Sequence, residues 1–273
     1  MVGLPLNDCL QLDRYMLNGV HLRILMLRSQ SEFCLMSDDG DENQAGYQIR
    51  IENAFLRLMK MKINPAILVS HSKILREVTA KYPYVKTDLK IANIIAGQNA
   101  FAWDMINSSY LPRLVIVAFV ESSALTGSFE KNPFHFQHFD LKRLSVLVNG
   151  VSTPGAPIHA DFDIGNTHGA TLVEVFDRLY NAKRRNRIMG AVSGSDHTGL
   201  ELTRKDIKNG YALYLFDLEP VLNGNMQFDL LKTGTLSLNA LFGTALPTNV
   251  SCLLYLEAYN MIEIDESRVV RLT

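Results

Sequence analysis

The sequence predicts an all-β protein of the sandwich or jelly-roll class, and three observations support this prediction. Apolar and polar residues alternate in many short runs, which is the pattern of strands with one buried face. Turn-forming pairs such as Asn149-Gly150 and Asn209-Gly210 separate these runs. Only two segments show helical periodicity, whereas a parallel α/β fold needs a crossover helix between most of its strands.

Strands are expected in eight regions of the chain. In the first, 22–26, the apolar residues Leu22, Ile24 and Met26 occupy every second position, and a longer alternating run follows at 47–63. The other predicted strands are 82–95, 113–120, 141–148, 211–218, 235–242 and 250–264.

Two helices are expected, each covering the side of a sheet. The first begins at Asn64-Pro65, a capping residue followed by proline at the first helical position. Its predicted apolar face carries Ile67, Leu68, His71 and Leu75. The second has the i, i+3, i+4, i+7 spacing of an amphipathic helix, formed by Leu172, Val175, Phe176 and Leu179.

The chain also contains a lopsided internal repeat. Residues 16–24 resemble 230–238, and 49–55 resemble 253–259 at a similar offset. Two successive matching strand pairs indicate two copies of one β-domain, of which the chain holds only the end of the first. Chance similarity between alternating strands is the other interpretation.

Composition and charge exclude several classes of protein. The 273 residues include 27 Lys and Arg against 28 Asp and Glu, and 47% are hydrophobic. This balance argues against disorder and against a surface that binds nucleic acid everywhere. The longest apolar run, 114–120, is too short for a membrane helix, so we expect a soluble protein without a membrane partner. The three scattered cysteines favour a reducing compartment over disulfides or a zinc site.

The search for catalytic and metal-binding motifs predicts a protein that is not an enzyme and uses no cofactor. Residues 190–194 have one residue too many for a nucleophile elbow. His135 and His138 lie among phenylalanines and are interpreted as aromatic packing. Asp161 and Asp163 lack the further oxygen ligands of a calcium loop. A jelly-roll enzyme or lectin stays open as a weaker alternative.

The one local charge anomaly is the basic run 183–187, which follows the second predicted helix. Cations are stabilised near a helix C-terminus, so a solvated helix end is one interpretation. Four basic residues in five are also typical of a phosphate-binding or nuclear-targeting patch. The candidate nucleic-acid contacts are Lys183, Arg184, Arg185 and Arg187.

Six segments together resemble one family, the double-jelly-roll, hexon-like major capsid proteins of Polinton/Maverick elements and adintoviruses. The two most specific segments are 125–141, LTGSFEKNPFHFQHFDL, and 209–220, NGYALYLFDLEP. The others are 13–18, 80–83, 111–116 and 257–265. The family's pattern begins well before Met1. The resemblance therefore implies that 1–63 are the C-terminal strands of an incomplete first jelly roll and that 64–273 form the second.

This resemblance implies a structural role in a virion or an endogenous virus-like element. Three chains would form a pseudo-hexagonal capsomer, and capsomers would tile an icosahedral shell with a separate penton protein at the vertices. The protein would be found in the virion capsid and, during assembly, in the nucleus or cytoplasm of the host cell. The candidate subunit-interface residues are Phe129, Asn132, Pro133, Phe134 and Phe136. For the phenylalanines among them, burial in the core is the alternative.

Two further expectations follow from the resemblance. A partial first barrel leaves strand edges and apolar faces unpaired, so the isolated chain is expected to self-associate or aggregate. The alternative function is a host-retained, non-enzymatic β-sandwich binding module derived from such a capsid gene, with the basic run 183–187 as its nucleic-acid contact.

Overall fold

The computed structural model describes residues 10, 14–36, 50–106, 110–160, 162, 174–175, 177–179, 204–218 and 233–272. The helices labelled within these residues are α1 (Ser31–Cys34), α2 (Pro65–Ile74), α3 (Ser122–Thr126) and α4 (Arg204–Lys208). The strands are β1 (Ala80–Ile94), β2 (Ala100–Ile106), β3 (Leu114–Glu121), β4 (Leu141–Val148), β5 (Val151–Ser152), β6 (Ile158–His159), β7 (Leu213–Asp217), β8 (Leu236–Phe242), β9 (Val250–Ile264) and β10 (Val270–Leu272).

The strands form two sheets. One sheet has the order β1-β9-β3-β7, with β10 also paired to β9, and the other has the order β2-β8-β4-β5, with β6 also paired to β4. The first four strands of the chain alternate between the sheets, and β8 and β9 each insert between two of them. This is the connectivity of a jelly roll. The predicted fold class, an all-β jelly roll with few short helices, is confirmed.

The chain divides into two compact units. The smaller, here called the small unit, is Met1–Ser31, Asp41–Lys86 and Tyr259–Thr273. The larger, here called the sandwich unit, is Glu32–Gly40 and Thr87–Ala258. Strands β1 and β9 contribute residues to both units.

The core of the sandwich unit is formed by the side chains that the two sheets direct toward each other. In the first sheet Val117 pairs with Leu254, and Phe119 pairs with Cys252. All four are buried. Phe119 contacts Phe242 of β8 edge to face, with ring centroids 5.3 Å apart, so the two sheets share this core. Burying one such aliphatic or aromatic side chain contributes roughly 1.5–3 kcal/mol.

The predicted strands of the sandwich unit agree well with the structure. Strands β4 and β9 have the predicted bounds, and β1, β3, β7 and β8 differ from them by a few residues. Strand β2 is absent from the predicted strands. Its residues nevertheless alternate, because Phe101 and Trp103 pack against the core, whereas Ala102 and Asp104 are exposed. The sequence therefore contains a period-2 signal there, but a short one.

The predicted helices have different outcomes. Val175 and Leu179 are helical and buried in the sandwich core, as the amphipathic pattern predicts, whereas Leu172 and Phe176 lie outside the described residues. Helix α2 begins after Asn64, whose Oδ1 accepts a hydrogen bond from the Ala66 N–H at 2.9 Å. Of its predicted apolar face, Leu75 directly after the helix is buried, but none of the residues of α2 itself is, so the prediction that this helix covers a sheet is not confirmed. Capping residues determine where a helix begins, but not what packs against it.

The small unit has its own hydrophobic cluster, formed by Tyr82, Ile262 and Ile264. Leu17 and Val20 pack against it. The Tyr82 hydroxyl donates a hydrogen bond to the carbonyl oxygen of Tyr15 at 3.2 Å, which attaches the first described residues of this unit to β1.

Two predicted strands of the small unit are not confirmed. The described residues of these segments, 22–26 and 50–63, have neither helix nor strand assigned. Apart from the half-buried Ile63, their apolar side chains are exposed, including those of Leu22, Ile24, Phe55 and Met59. Alternation determines which side chains share a face, but a strand also needs a neighbouring strand for its backbone hydrogen bonds.

Candidate functional site

All five predicted interface residues lie between α3 and β4, in residues 127–139, here called the connecting segment. Backbone hydrogen bonds hold this segment along its length. The Ser128 N–H donates to the Glu32 carbonyl at 3.1 Å, and the Gln137 N–H donates to the Phe119 carbonyl at 3.0 Å. The connecting segment is therefore fixed to the sandwich unit at both ends.

Between these ends, an Asn132-Pro133 turn presents Phe134 to the outside. The Asn132 side chain accepts a hydrogen bond from the Phe134 N–H at 2.9 Å, and the Asn132 carbonyl accepts one from the His135 N–H at 3.1 Å. Asparagine favours such turns because its side chain can hydrogen-bond the backbone two residues later. Pro133 is buried, while Phe134 is 61% exposed and has an edge-to-face contact with Phe33 at 6.1 Å.

The structure separates the phenylalanines that the sequence places together. Phe119 is fully buried, and Phe139 packs against the core. Phe129 and Phe136 are half-buried, and Phe134 is exposed. Of the predicted interface residues, Phe134 and Asn132 are thus the ones available to a partner.

An ion pair stabilises the start of the connecting segment. Lys131 Nζ lies 2.7 Å from Glu121 Oε2 and donates to Ser123 Oγ at 3.0 Å. The hydrogen bond from Lys131 lowers the pKa of the Glu121 carboxyl, and desolvation opposes this effect in part. The pair links the segment to the end of β3 and to α3.

The two histidines occupy different environments. The His138 ring stacks on Phe162, with centroids 4.4 Å apart, and its Nδ1 accepts a hydrogen bond from the Asp140 N–H at 3.0 Å. Burial lowers the pKa of His138, and the Asp140 charge opposes this shift. Aromatic packing is therefore confirmed for His138, whereas His135 is exposed. Among the described residues, no group of three or more His, Cys, Asp or Glu could hold a metal ion.

Several sequence-predicted sites lie outside the described residues. These include Asp161, Asp163 and the basic residues Lys183, Arg184, Arg185 and Arg187. In the part of the chain that is described, no helix has the length and apolar character needed to cross a membrane.

The sequence did not reveal a buried polar contact between Arg113, directly before β3, and β9. Arg113 Nη2 lies 3.0 Å from Glu257 Oε2, and the Tyr255 hydroxyl donates to Glu257 Oε1 at 3.1 Å. The side chains of the ion pair are only 17% and 12% exposed. Arg113 and Glu257 lie in two of the segments that carry the family resemblance, but neither segment indicates that they pair.

Comparison with known sequences identifies one relative among curated proteins. No family model matches the chain. An uncharacterized protein of Caenorhabditis elegans is 20% identical over 263 residues, which are 96% of this chain and 60% of the relative. The chain therefore spans less than two thirds of that relative's length.

Comparison with solved structures finds similarity to viral capsids. The Sputnik virophage matches with a TM-score of 0.39 and 10% identity, over 71% of this chain and 39% of the solved chain. The PBCV-1 virus capsid matches with a TM-score of 0.36 and 10% identity, over 75% and 54%. The mavirus major capsid protein matches with a TM-score of 0.36 and 12% identity, over 71% and 41%.

Proposed function

We propose that this protein is a structural, non-enzymatic subunit of the capsid type, which acts by assembling with copies of itself. The observation that carries this proposal is the jelly-roll connectivity, with β1, β9, β3 and β7 in one sheet and β2, β8, β4 and β5 in the other. A packed pair of sheets with fixed surface segments suits repeated, extensive subunit contacts.

The location of the family-like segments supports the same proposal. The described residues of the two most specific segments, 125–141 and 209–218, meet in the sandwich unit. Phe136 forms a parallel β-bridge with Tyr211, and its N–H donates to the Gly210 carbonyl at 2.7 Å. The two most specific parts of the hexon-like resemblance are thus in contact with each other.

In this proposal three copies form a pseudo-hexagonal capsomer, and capsomers tile an icosahedral shell whose vertices hold a penton protein. The source is an element of the Polinton/Maverick and adintovirus type. Phe134 supplies an apolar contact between subunits, because it is large, exposed and held on a fixed turn.

We further propose that residues 1–63 correspond in sequence to the C-terminal strands of an incomplete first jelly roll, although 22–26 and 50–63 have no strand assigned, and that 64–273 form the second. The internal repeat supports this division, because 230–238 and 253–259 include parts of β8 and β9. The exposed Leu22 and Ile24 match Leu236 and Leu238, which are buried. The first copy thus has the apolar pattern of a strand without the burial.

Sedimentation velocity and native mass spectrometry of the full chain, across a range of concentrations, test the assembly. We expect trimers or larger closed species that increase with concentration, and regular arrays in negative-stain microscopy. A monomer at every concentration would overturn the proposal. Irregular aggregates without a trimer would argue against capsomer formation.

A point variant tests the contact itself. Phe134→Ser is expected to shift the distribution toward monomer while the unfolding midpoint stays close to that of the wild type. The matched control is Val151→Ser, because Val151 is also exposed but lies on the β5 hairpin, away from the connecting segment. Equal effects of both substitutions would show that Phe134 does not lie in the subunit interface.

A further inference from the structure

A cavity of about 380 Å³ lies in the sandwich unit, beside the connecting segment. Its walls come from two places in the chain. One wall includes His135, Gln137 and His138, and the other is formed by Lys208, Asn209 and Gly210 at the end of α4. Neither the jelly-roll assembly nor the exposed Phe134 makes use of this cavity.

The chemistry of the lining favours an anion. Lys208 supplies a positive charge, and Gln137 and Asn209 supply amide N–H donors. Burial lowers the pKa of His138 and so favours its neutral ring, in which the proton lies on Nε2 because Nδ1 accepts the Asp140 N–H. Among the described residues that line the cavity, none is Asp or Glu. The neighbouring Asp140 carboxylate is paired with Lys142 at 3.1 Å.

The two walls are held together before any ligand arrives. The Phe136 N–H donates to the Gly210 carbonyl at 2.7 Å, and the Ala212 N–H donates to the Phe136 carbonyl at 3.0 Å. Gly210 has a φ of +113°, and a Cβ at this position would collide with the His135 ring. Glycine therefore permits the close approach of the two walls, and the backbone of each wall is held in place.

We propose that this cavity binds the phosphate group of a small ligand. Phosphate has several acceptor oxygens for the side-chain donors of the two walls, and lysine is a common point-charge partner for it. The volume is near the lower end of the range typical of small-molecule sites, roughly 300–1,000 Å³, which suits a compact ligand. This proposal does not depend on capsid assembly.

Isothermal titration calorimetry of the full chain with inorganic phosphate, at constant ionic strength, tests this site. We expect saturable binding of one phosphate per chain. Lys208→Ala should weaken binding by about tenfold or more, because a hydrogen bond to a charged group is lost. The matched control is Lys205→Ala, which removes an exposed charge from the same helix but from outside the cavity. It should change the affinity by less than about twofold.

Three outcomes would overturn the proposal. The first is the absence of saturable binding to the wild type. The second is an equal loss of affinity in both lysine variants, which would indicate attraction to the general charge of α4. The third is acetate binding as tightly as phosphate, which would indicate a carboxylate site. His135→Gln is a second lining variant, and thermal unfolding of each protein verifies that the fold is retained.

Discussion

The two regions that carry the internal repeat have similar sequences but different environments. Leu236 and Leu238 in β8 are 1% and 0% exposed, whereas the matching Leu22 and Ile24 in the small unit are 54% and 49% exposed. Strand β8 pairs with β2 on one side and with β4 on the other. No described residue pairs with 22–26 in a sheet. Alternation thus decides which side chains lie on one face, and neighbouring strands decide whether that face is buried.

The largest effect is expected from truncating matched leucines in the two regions. Leu236→Ala should lower the free energy of unfolding by about 2–5 kcal/mol, because it leaves a cavity in the core. Leu22→Ala should change it by less than about 0.5 kcal/mol. Urea unfolding followed by circular dichroism measures both values. Similar losses would show that residue 22 is buried in solution and would break the comparison.

The next effect contrasts two ion pairs, one in each unit. Glu257→Gln should cost about 1–3 kcal/mol, because Arg113 loses its charged partner between paired strands. Glu266→Gln removes the partner of Arg76, at a similar distance of 3.1 Å but with both side chains exposed, and should cost less than about 0.5 kcal/mol. The same unfolding measurement applies. Equal costs would mean that burial does not distinguish the two pairs.

A smaller effect concerns the pH dependence of stability. Burial lowers the pKa of His138 in the folded state. As the pH falls through the ordinary histidine pKa of about 6.5, the unfolded chain therefore binds more protons than the folded chain. Stability should therefore decrease from neutral pH toward about pH 5. His138→Gln should reduce this slope. His71→Gln on the exposed α2 is the matched control for the substitution itself. An unchanged slope in His138→Gln would contradict the prediction.

The smallest effect on the fold is expected from the basic run. Replacing Arg184 and Arg185 with glutamine should leave both the unfolding midpoint and self-association unchanged. Electrophoretic mobility shifts at several salt concentrations measure DNA binding by the same variant. Salt-sensitive DNA binding that is lost in this variant would favour the host-retained binding module over the capsid subunit.

The sequence predicts strands best where alternation is long and turns flank it. Strands β4 and β9 meet both conditions, and Asn149-Gly150 follows β4 directly with positive φ at both residues. Strand β2 does not have a long alternation. Its pairing with β8 shifts register between Trp103 and Ile106, and Met105 in this stretch has a φ of +52°. A local irregularity of this kind interrupts the periodicity from which strands are predicted.

The candidate site was harder to predict than the fold. Phe119 and Phe134 have the same side chain and lie near each other in sequence, but one is fully buried and the other exposed. The difference depends on distant contacts, such as those of the connecting segment with Glu32, Phe33 and Gly210. Contacts between residues so far apart in the chain leave no mark in local patterns.

The close approach of Gly210 to the His135 ring also constrains how this protein can diverge. A side chain at position 210 requires both a rebuilt turn, because φ is +113° there, and a smaller residue at position 135. A side chain at position 210 is therefore expected only together with both changes, whereas a smaller residue at position 135 is compatible with Gly210. A relative with a residue other than glycine at position 210 should carry a small residue at position 135. It should also have lost the cavity between these two positions.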